Sequence, residues 1–344
     1  MSIVLTCNAG SSNTKLAAFD ISTLECKGRI VTHSTPETME WIRSIGASGI
    51  EAVGHRVVHG GREYLQPTLL TEAVLIKLKT YIPLAPLHQP AALHLMEEVK
   101  NLYPLVSQIA CFDTAFHSTM PEIERRLPLP IWYHNEGIQR YGFHGLSYQH
   151  IADVLPEYAV ANAHGRVVVA HLGGGSSACA LKGLKSVAST MGFSTLDGLM
   201  MGTRCGALDA GVILHLLQQM EMKLEEVERL LYSQSGLLGV SGISAEMRML
   251  TASDRPEACA AVELYCYLAA KHIAALIPAL GGLDILVFTG GIGEFCDPVR
   301  EKITSYLKWL GDFVVYVVPT DEEIVIARAC QNQLEPQRLG NAPI

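Results

Sequence analysis

Short apolar runs alternate along the chain with stretches of helical periodicity. Residues 3–7 form an apolar run that reads as a buried strand, residues 8–13 (Asn-Ala-Gly-Ser-Ser-Asn) form a turn, and residues 15–20 return as a second strand. A further strand is expected over 50–59, stopped by Gly60 and Gly61. A helix follows over 90–101, then a strand over 108–112 that ends at Asp113. The second half starts in the same way, with a strand over 166–171, a turn at 173–177 and a return strand over 178–181. Helices are expected over 211–220 and 223–232, the latter stopped by Gly236. Ser253 or Asp254 would cap a helix opened by Pro256 and running to about 277. Residues 284–289 and 314–318 read as strands, and a last helix starts near 321.

This alternation is the signature of an α/β fold. The turn Gly10-Ser11-Ser12 recurs as Gly175-Ser176-Ser177, 165 residues later (175 minus 10), each time between two strands. A fixed offset of nearly half the chain points to two related lobes, although glycine-serine turns are common enough to match by chance. No low-complexity linker separates the halves.

At 344 residues the chain suggests two domains, and 49% hydrophobic content supplies a large interior. The formal net charge of -8 argues against nonspecific nucleic-acid binding. It leaves room for an anionic ligand held by a local basic cluster. The first residues lack the pattern of a signal peptide. Residues 258–280 are strongly apolar but carry Glu263, Lys271, His272 and Pro278, which suits a core helix better than a membrane span. Nine cysteines without a Cys-x-x-Cys pair suggest reduced thiols in a cytoplasmic protein.

Several segments carry candidate chemistry. The two glycine-hydroxyl turns are either anion-binding nests or ordinary tight β-turns. Lys15, just past the first, is placed to neutralise a phosphate oxygen, and Asn8 to hold a metal-bound water. Neither a Walker A nor a Rossmann fingerprint occurs. Arg56, in an apolar strand, needs a partner, which is either a ligand's carboxylate or phosphate or an acidic side chain of the protein. Asp113 at a strand end is either an active-site group or a helix cap. His144 between Phe143 and Gly145 is an oxyanion donor or a structural histidine. Arg204, in a loop between Gly202 and Gly206, suits charge neutralisation in phosphoryl transfer. Residues 288–294 run from a strand into glycines that either admit a nucleotide or make a tight strand-to-helix turn.

In this order, the segments 8–15, 54–61, 85–88, 112–121, 140–145, 171–176, 191–206, 235–248, 283–294 and 319–328 resemble the acetate kinase family of the actin-like phosphotransferases. The resemblance implies two duplicated actin-like (ribonuclease H-like) lobes with a nucleotide cleft. It implies a first lobe of residues 1–148 completed by 322–344, and a nucleotide-binding second lobe of 149–321. The implied reaction is reversible transfer of the ATP γ-phosphoryl group to acetate or a similar short carboxylate, with Mg²⁺, or alternatively Mn²⁺, as the metal. Catalytic roles are implied for Asp113, His144 and Arg204, and substrate contacts for Arg56, Val58, Leu87, His88, Phe143 and Thr195. Asn8 and Glu322 match the metal site, while Ser11, Ser12 and Asn13 match the phosphate turn. Implied nucleotide contacts are Lys15, then His171, Leu172, Gly173, Gly174 and Gly175. They continue with Glu246, Met247 and Arg248, and with Gly291, Ile292, Gly293, Glu294 and Phe295. A homodimer is implied, with the apolar helix 258–277 as a candidate interface.

The chain departs from the family pattern at specific places. Asn13 replaces a hydroxyl, Gly174 an asparagine, Glu246 an aspartate, Phe295 an asparagine and Thr195 a proline. The chain is also short, with residues 20–50 trimmed. These changes keep two alternatives open, a propionate or butyrate kinase and a catalytically weak nucleotide-binding relative.

Overall fold

The computed structural model describes residues 2–10, 13–46 and 49–340, with side chains to residue 334, so the expectations for Ser11 and Ser12 lie outside the described residues. The chain divides into two compact units. The first comprises residues 1–118, 144–150 and 321–344, and the second residues 119–143 and 151–320. The segment 119–143 therefore groups with the second unit rather than the first.

In the first unit six strands form one sheet: β1 (Ile3–Ala9), β2 (Thr14–Asp20), β3 (Cys26–Thr32), β4 (Ile50–Val57), β5 (Thr68–Leu69) and β6 (Ser107–Phe112). Their order is β3-β2-β1-β4-β6-β5. β1 to β3 pair antiparallel, while β4 and β6 run parallel to β1. The second unit repeats the scheme with β7 (Arg166–Leu172), β8 (Ser176–Lys182), β9 (Lys185–Ser189), β10 (Ile285–Thr289) and β11 (Val314–Val317). The order there is β11-β10-β7-β8-β9, again an antiparallel meander followed by parallel strands. Strand by strand this matches β6-β4-β1-β2-β3, so the duplication suggested by the glycine turns extends to the whole sheet.

Each sheet is covered by helices. The helix Glu322–Gly340 packs Ile326 and Cys330 against β4 so closely that a Cβ on Gly54 would stand 2.3 Å from Ile326 Cγ2 and 2.7 Å from Cys330 Sγ. The helix Pro256–Ala275 is the central core helix of the second unit, with Ala258, Ala261, Tyr265, Cys266, Ala269 and Ile273 buried.

Two local expectations are corrected. The helix Leu224–Ser233 ends at Gln234. Gly236, at φ 62, instead opens the next short helix, where a Cβ would lie 2.2 Å from the Met201 carbonyl oxygen. The cap of the core helix is Arg255 rather than Ser253 or Asp254, and the Ser253 hydroxyl accepts from the Arg255 N–H at 3.3 Å. Residues after Thr289 pass directly from strand into the helix Gly290–Phe295, the strand-to-helix connection that was one of the two expectations there. The trimmed region still holds β3 and the helix Thr35–Ile45.

Candidate active site

β1, β4 and β6 are parallel neighbours, so their C-terminal ends meet on one edge of the first sheet. Asn8, Arg56 and Asp113 stand there. Asp113 is fixed by its own N–H, which donates to the Val57 carbonyl at 3.0 Å. Arg56 grips it with a fork: Nε lies 3.1 Å from both carboxylate oxygens and Nη2 lies 2.7 Å from Oδ2. Arg56 Nη1 donates to Asn8 Oδ1 at 3.0 Å and lies 3.6 Å from Glu322 Oε2. The Asn8 amide in turn donates to Glu322 Oε2 at 2.7 Å and to Glu323 Oε1 at 2.8 Å. The helix Glu322–Gly340 delivers both glutamates from the far end of the chain.

The cluster is buried and unbalanced, with three carboxylates around one guanidinium. Burial pushes the Asp113 carboxyl up, and the Arg56 charge opposes that rise. Arg56 itself is held firmly cationic by Asp113 and Glu322 against the cost of its own desolvation. Glu323 is raised by burial and by the neighbouring Glu322. Beside Arg56, His55 is fully buried against Gln108 and pushed down to about 4 by desolvation, so it stays neutral at pH 7. Arg56 thus has the acidic partner within the protein that one of its two expectations called for. Glu323 is the member the sequence reading missed. Its signal was the doubled glutamate at the start of the last helix.

His144 adopts the left-handed backbone region, φ 56, which is costly for a residue with a Cβ. Its N–H donates to the Asp113 carboxylate. Gly145 follows because a Cβ there would come within 2.0 Å of the Asp113 carbonyl oxygen. Val58 is buried, Leu87 is 39% exposed, and His88 is buried at the N-cap of the helix Gln89–Leu102. Lys15 is exposed and sits across from Asn8 in the β1–β2 register. Asn13 closes the first turn through its carbonyl, which accepts from Gly10 N–H at 2.8 Å.

In the second unit a cleft of about 590 Å³ gathers Gly173 and Gly174 with Glu246, Met247 and Arg248. Gly291, Ile292 and Phe295 complete it, so eight of the expected nucleotide contacts share one cavity. The others are placed differently. Leu172 is a core side chain and Gly293 is buried. His171 and Gly175 are half-buried beside the turn, whose shape is set by Ser176 Oγ bonding to Gly173 and to Tyr265 Oη. Glu294 turns inward, accepting from the Gly290 N–H at 3.0 Å and the Thr320 N–H at 3.1 Å, and so holds the loop rather than lining the cavity. Also in this unit, the buried Arg204 donates through Nη1 to the Thr195 carbonyl at 2.7 Å. Phe143 is buried, and the Thr195 hydroxyl is buried without a hydrogen-bond partner among the described residues.

Among the described residues no three His, Cys, Asp or Glu side chains converge as metal ligands. The buried carboxylates of Glu322 and Glu323 are hard oxygen donors. They suit a hard divalent cation that keeps most of its shell as water and phosphate oxygen.

The chain matches the model of the Acetokinase family over residues 37–313. It is 43% identical to the acetate kinase of Rhodopseudomonas palustris (strain TIE-1), over 95% of this chain and 97% of that protein. The crystal structure of a propionate kinase from Francisella tularensis superposes with a TM-score of 0.88 at 31% identity, covering 96% of this chain and 99% of that one. Porphyromonas gingivalis acetate kinase superposes with a TM-score of 0.86 at 31% identity, over 97% and 100%.

Proposed function

The chain belongs to the acetokinase family as a phosphotransferase of the acetate kinase type, and we propose how its own residues divide the work of moving the ATP γ-phosphoryl group to acetate or a similar short carboxylate. The observation that carries this division is the buried Asn8–Arg56–Asp113–Glu322 cluster at one sheet edge. The substrate carboxylate docks on Arg56, with its alkyl end toward the apolar side chains of Val58 and Leu87 beside His88. One carboxylate oxygen forms the new bond to phosphorus as the bond from phosphorus to the ADP oxygen breaks, so the leaving electrons stay on ADP. A carboxylate needs no deprotonation at neutral pH. Asp113 therefore fixes the Arg56 fork and takes its own orientation from the His144 N–H. His144 and Arg204 neutralise charge on the transferring group, the main catalytic requirement in phosphoryl transfer.

The nucleotide lies in the second-unit cleft, its phosphates met by the glycine turn at 173–175. Asn8, Glu322 and Glu323 are the residues to hold Mg²⁺, with Mn²⁺ as an alternative. Such a cation supplies charge compensation for the phosphates when bound. A cytoplasmic location fits nine cysteines that are all unpaired. A homodimer is also part of this reading, with the helix Ala210–Gln218 as its contact in place of the core helix, because none of its residues is buried.

Hydroxylamine trapping of acyl phosphate, with ATP, Mg²⁺ and acetate, propionate or butyrate in turn, tests the function. Hydroxamate from acetate is expected, and its absence with all three acids would end the reading. Arg204→Ala should cut kcat by roughly 10³-fold with a modest change in KM. Near-normal turnover would remove Arg204 from the chemistry.

A further inference from the structure

Resting on the nucleotide reading of the second-unit cleft, we propose that Phe295 forms a stacking slot with the bare backbone of Gly174 and Gly291. The chain would then hold its nucleotide by the face of the base and not by the base's hydrogen-bonding edge. Three observations carry this.

Phe295 lines the cavity and is 83% exposed. Among the described lining residues it is the one aromatic side chain. A ring left in water at the mouth of a cavity gains most from a flat apolar partner.

The glycines are the second observation. A Cβ added to Gly174 or Gly291 would meet no protein atom within 4 Å, and neither residue has a left-handed φ. The fold therefore does not demand glycine at either place. Gly290 next door is the contrast: at φ 77, with the Leu172 oxygen 2.8 Å from its would-be Cβ, it is required by the fold. Positions 174 and 291 line the same cavity, and the turn at 173–175 approaches the start of the helix Gly290–Phe295 closely, Gly291 N lying 3.9 Å from the Cβ position of Gly173. Bare backbone at both suits a flat group that lies directly on it.

Third, the lining offers few side chains that could read a base edge, the exposed Glu246 and Arg248 being its charged ones. The Thr251 hydroxyl is spent on the Met247 and Arg248 carbonyls, at 3.0 and 3.3 Å. Met247 is buried, and Glu246 and Arg248 are both exposed. Every base has a π-face, so stacking tolerates all of them. A cavity of about 590 Å³ is the size that encloses a nucleoside.

Calorimetric titration of the full chain with Mg·ATP, Mg·GTP, Mg·CTP and Mg·tripolyphosphate tests the proposal. Wild type should bind the three nucleotides within about tenfold of one another. Phe295→Ala should weaken all three by roughly five- to 150-fold, leave tripolyphosphate unchanged, and keep the wild-type melting temperature. Phe295→Tyr should restore binding. Unchanged nucleotide affinity in Phe295→Ala would overturn the slot while leaving the kinase reading intact, as would a wild-type preference above 100-fold for one base. Wild type that binds tripolyphosphate but no nucleotide would overturn both.

Discussion

At the scale of single residues the site is built from charges that the fold must bury. Arg56 and Asp113 satisfy one another, whereas Glu323 accepts from the Asn8 amide, stands beside the acidic Glu322 and gets only partial relief from Lys15. Its folded-state affinity for a proton is therefore raised above the ordinary glutamate value of 4.5. A raised carboxyl contributes stability that is fully present below its unfolded value and is lost as pH rises through its folded value. Glu323→Gln keeps the oxygen that accepts from Asn8 and removes the charge. The variant should melt higher than wild type at pH 7, and the gain should vanish at pH 4.5 and below. Turnover should fall, since the removed charge is one that a cation would answer. A pH series of thermal melts beside kcat measurements checks this, and equal melting curves at pH 7 would mean that Glu323 carries no unmet charge. The individual chemistry of Arg56, Asp113 and His144 was legible in the sequence as residue types out of place: an arginine in an apolar strand, an aspartate at its end, a histidine before glycine. Their mutual contacts were not, because a fork from position 56 to 113 and an amide from 8 to 322 depend on strand register and on a helix that returns from the other end of the chain.

At the scale of elements, that returning helix couples the site to the sheet. It leans on β4 at Gly54, two residues from Arg56, and its first turn carries Glu322 and Glu323. Gly54→Ala should push the helix off the strand, costing about 1–3 kcal/mol by overpacking. The same displacement should lower activity by moving the glutamates from Asn8. Adding Cys330→Ala, which makes room on the opposing face, should recover part of both losses. Additive losses in a double-mutant cycle would show that the two positions do not press on each other. The sequence predicted the long strands and helices well because their periodicity is strong. It misread local ends: at Gly236 close packing against the Met201 and Arg204 carbonyls decided what the residue did, and at the core helix Ser253 bonds to the Arg255 N–H while Arg255 takes the cap position. At Gly290–Phe295 it left a nucleotide approach and a strand-to-helix turn open, and the helix that forms there is anchored by Glu294.

At the scale of the molecule the duplicated sheet explains why two glycine turns at a fixed offset were informative, since each follows the first strand of an equivalent meander. The same scale exposes a feature that no single motif showed. The helix Ala210–Gln218 carries Val212, Ile213, Leu214, Leu216 and Leu217 within nine residues, yet none of its side chains is buried. Nearby in sequence, Leu208, Met220 and Leu224 are also exposed, at 44%, 58% and 67%. Apolar area on this scale costs roughly 25 cal/mol for each Å² left in water, and a stable protein interface needs about 1,000 Å² or more. A second copy of the chain is the partner always present at matching concentration, and a two-fold contact is self-complementary by construction. Leu214→Glu places a charge at the middle of the exposed stretch without touching a core position. It should shift the chain from dimer to monomer by size-exclusion chromatography with light scattering, while the monomer keeps its fold by circular dichroism. Wild type that runs as a monomer, or a variant that stays dimeric, would leave the helix without that role. The core helix Pro256–Ala275 would then be the surface to test next, through its exposed Leu264 and Tyr267.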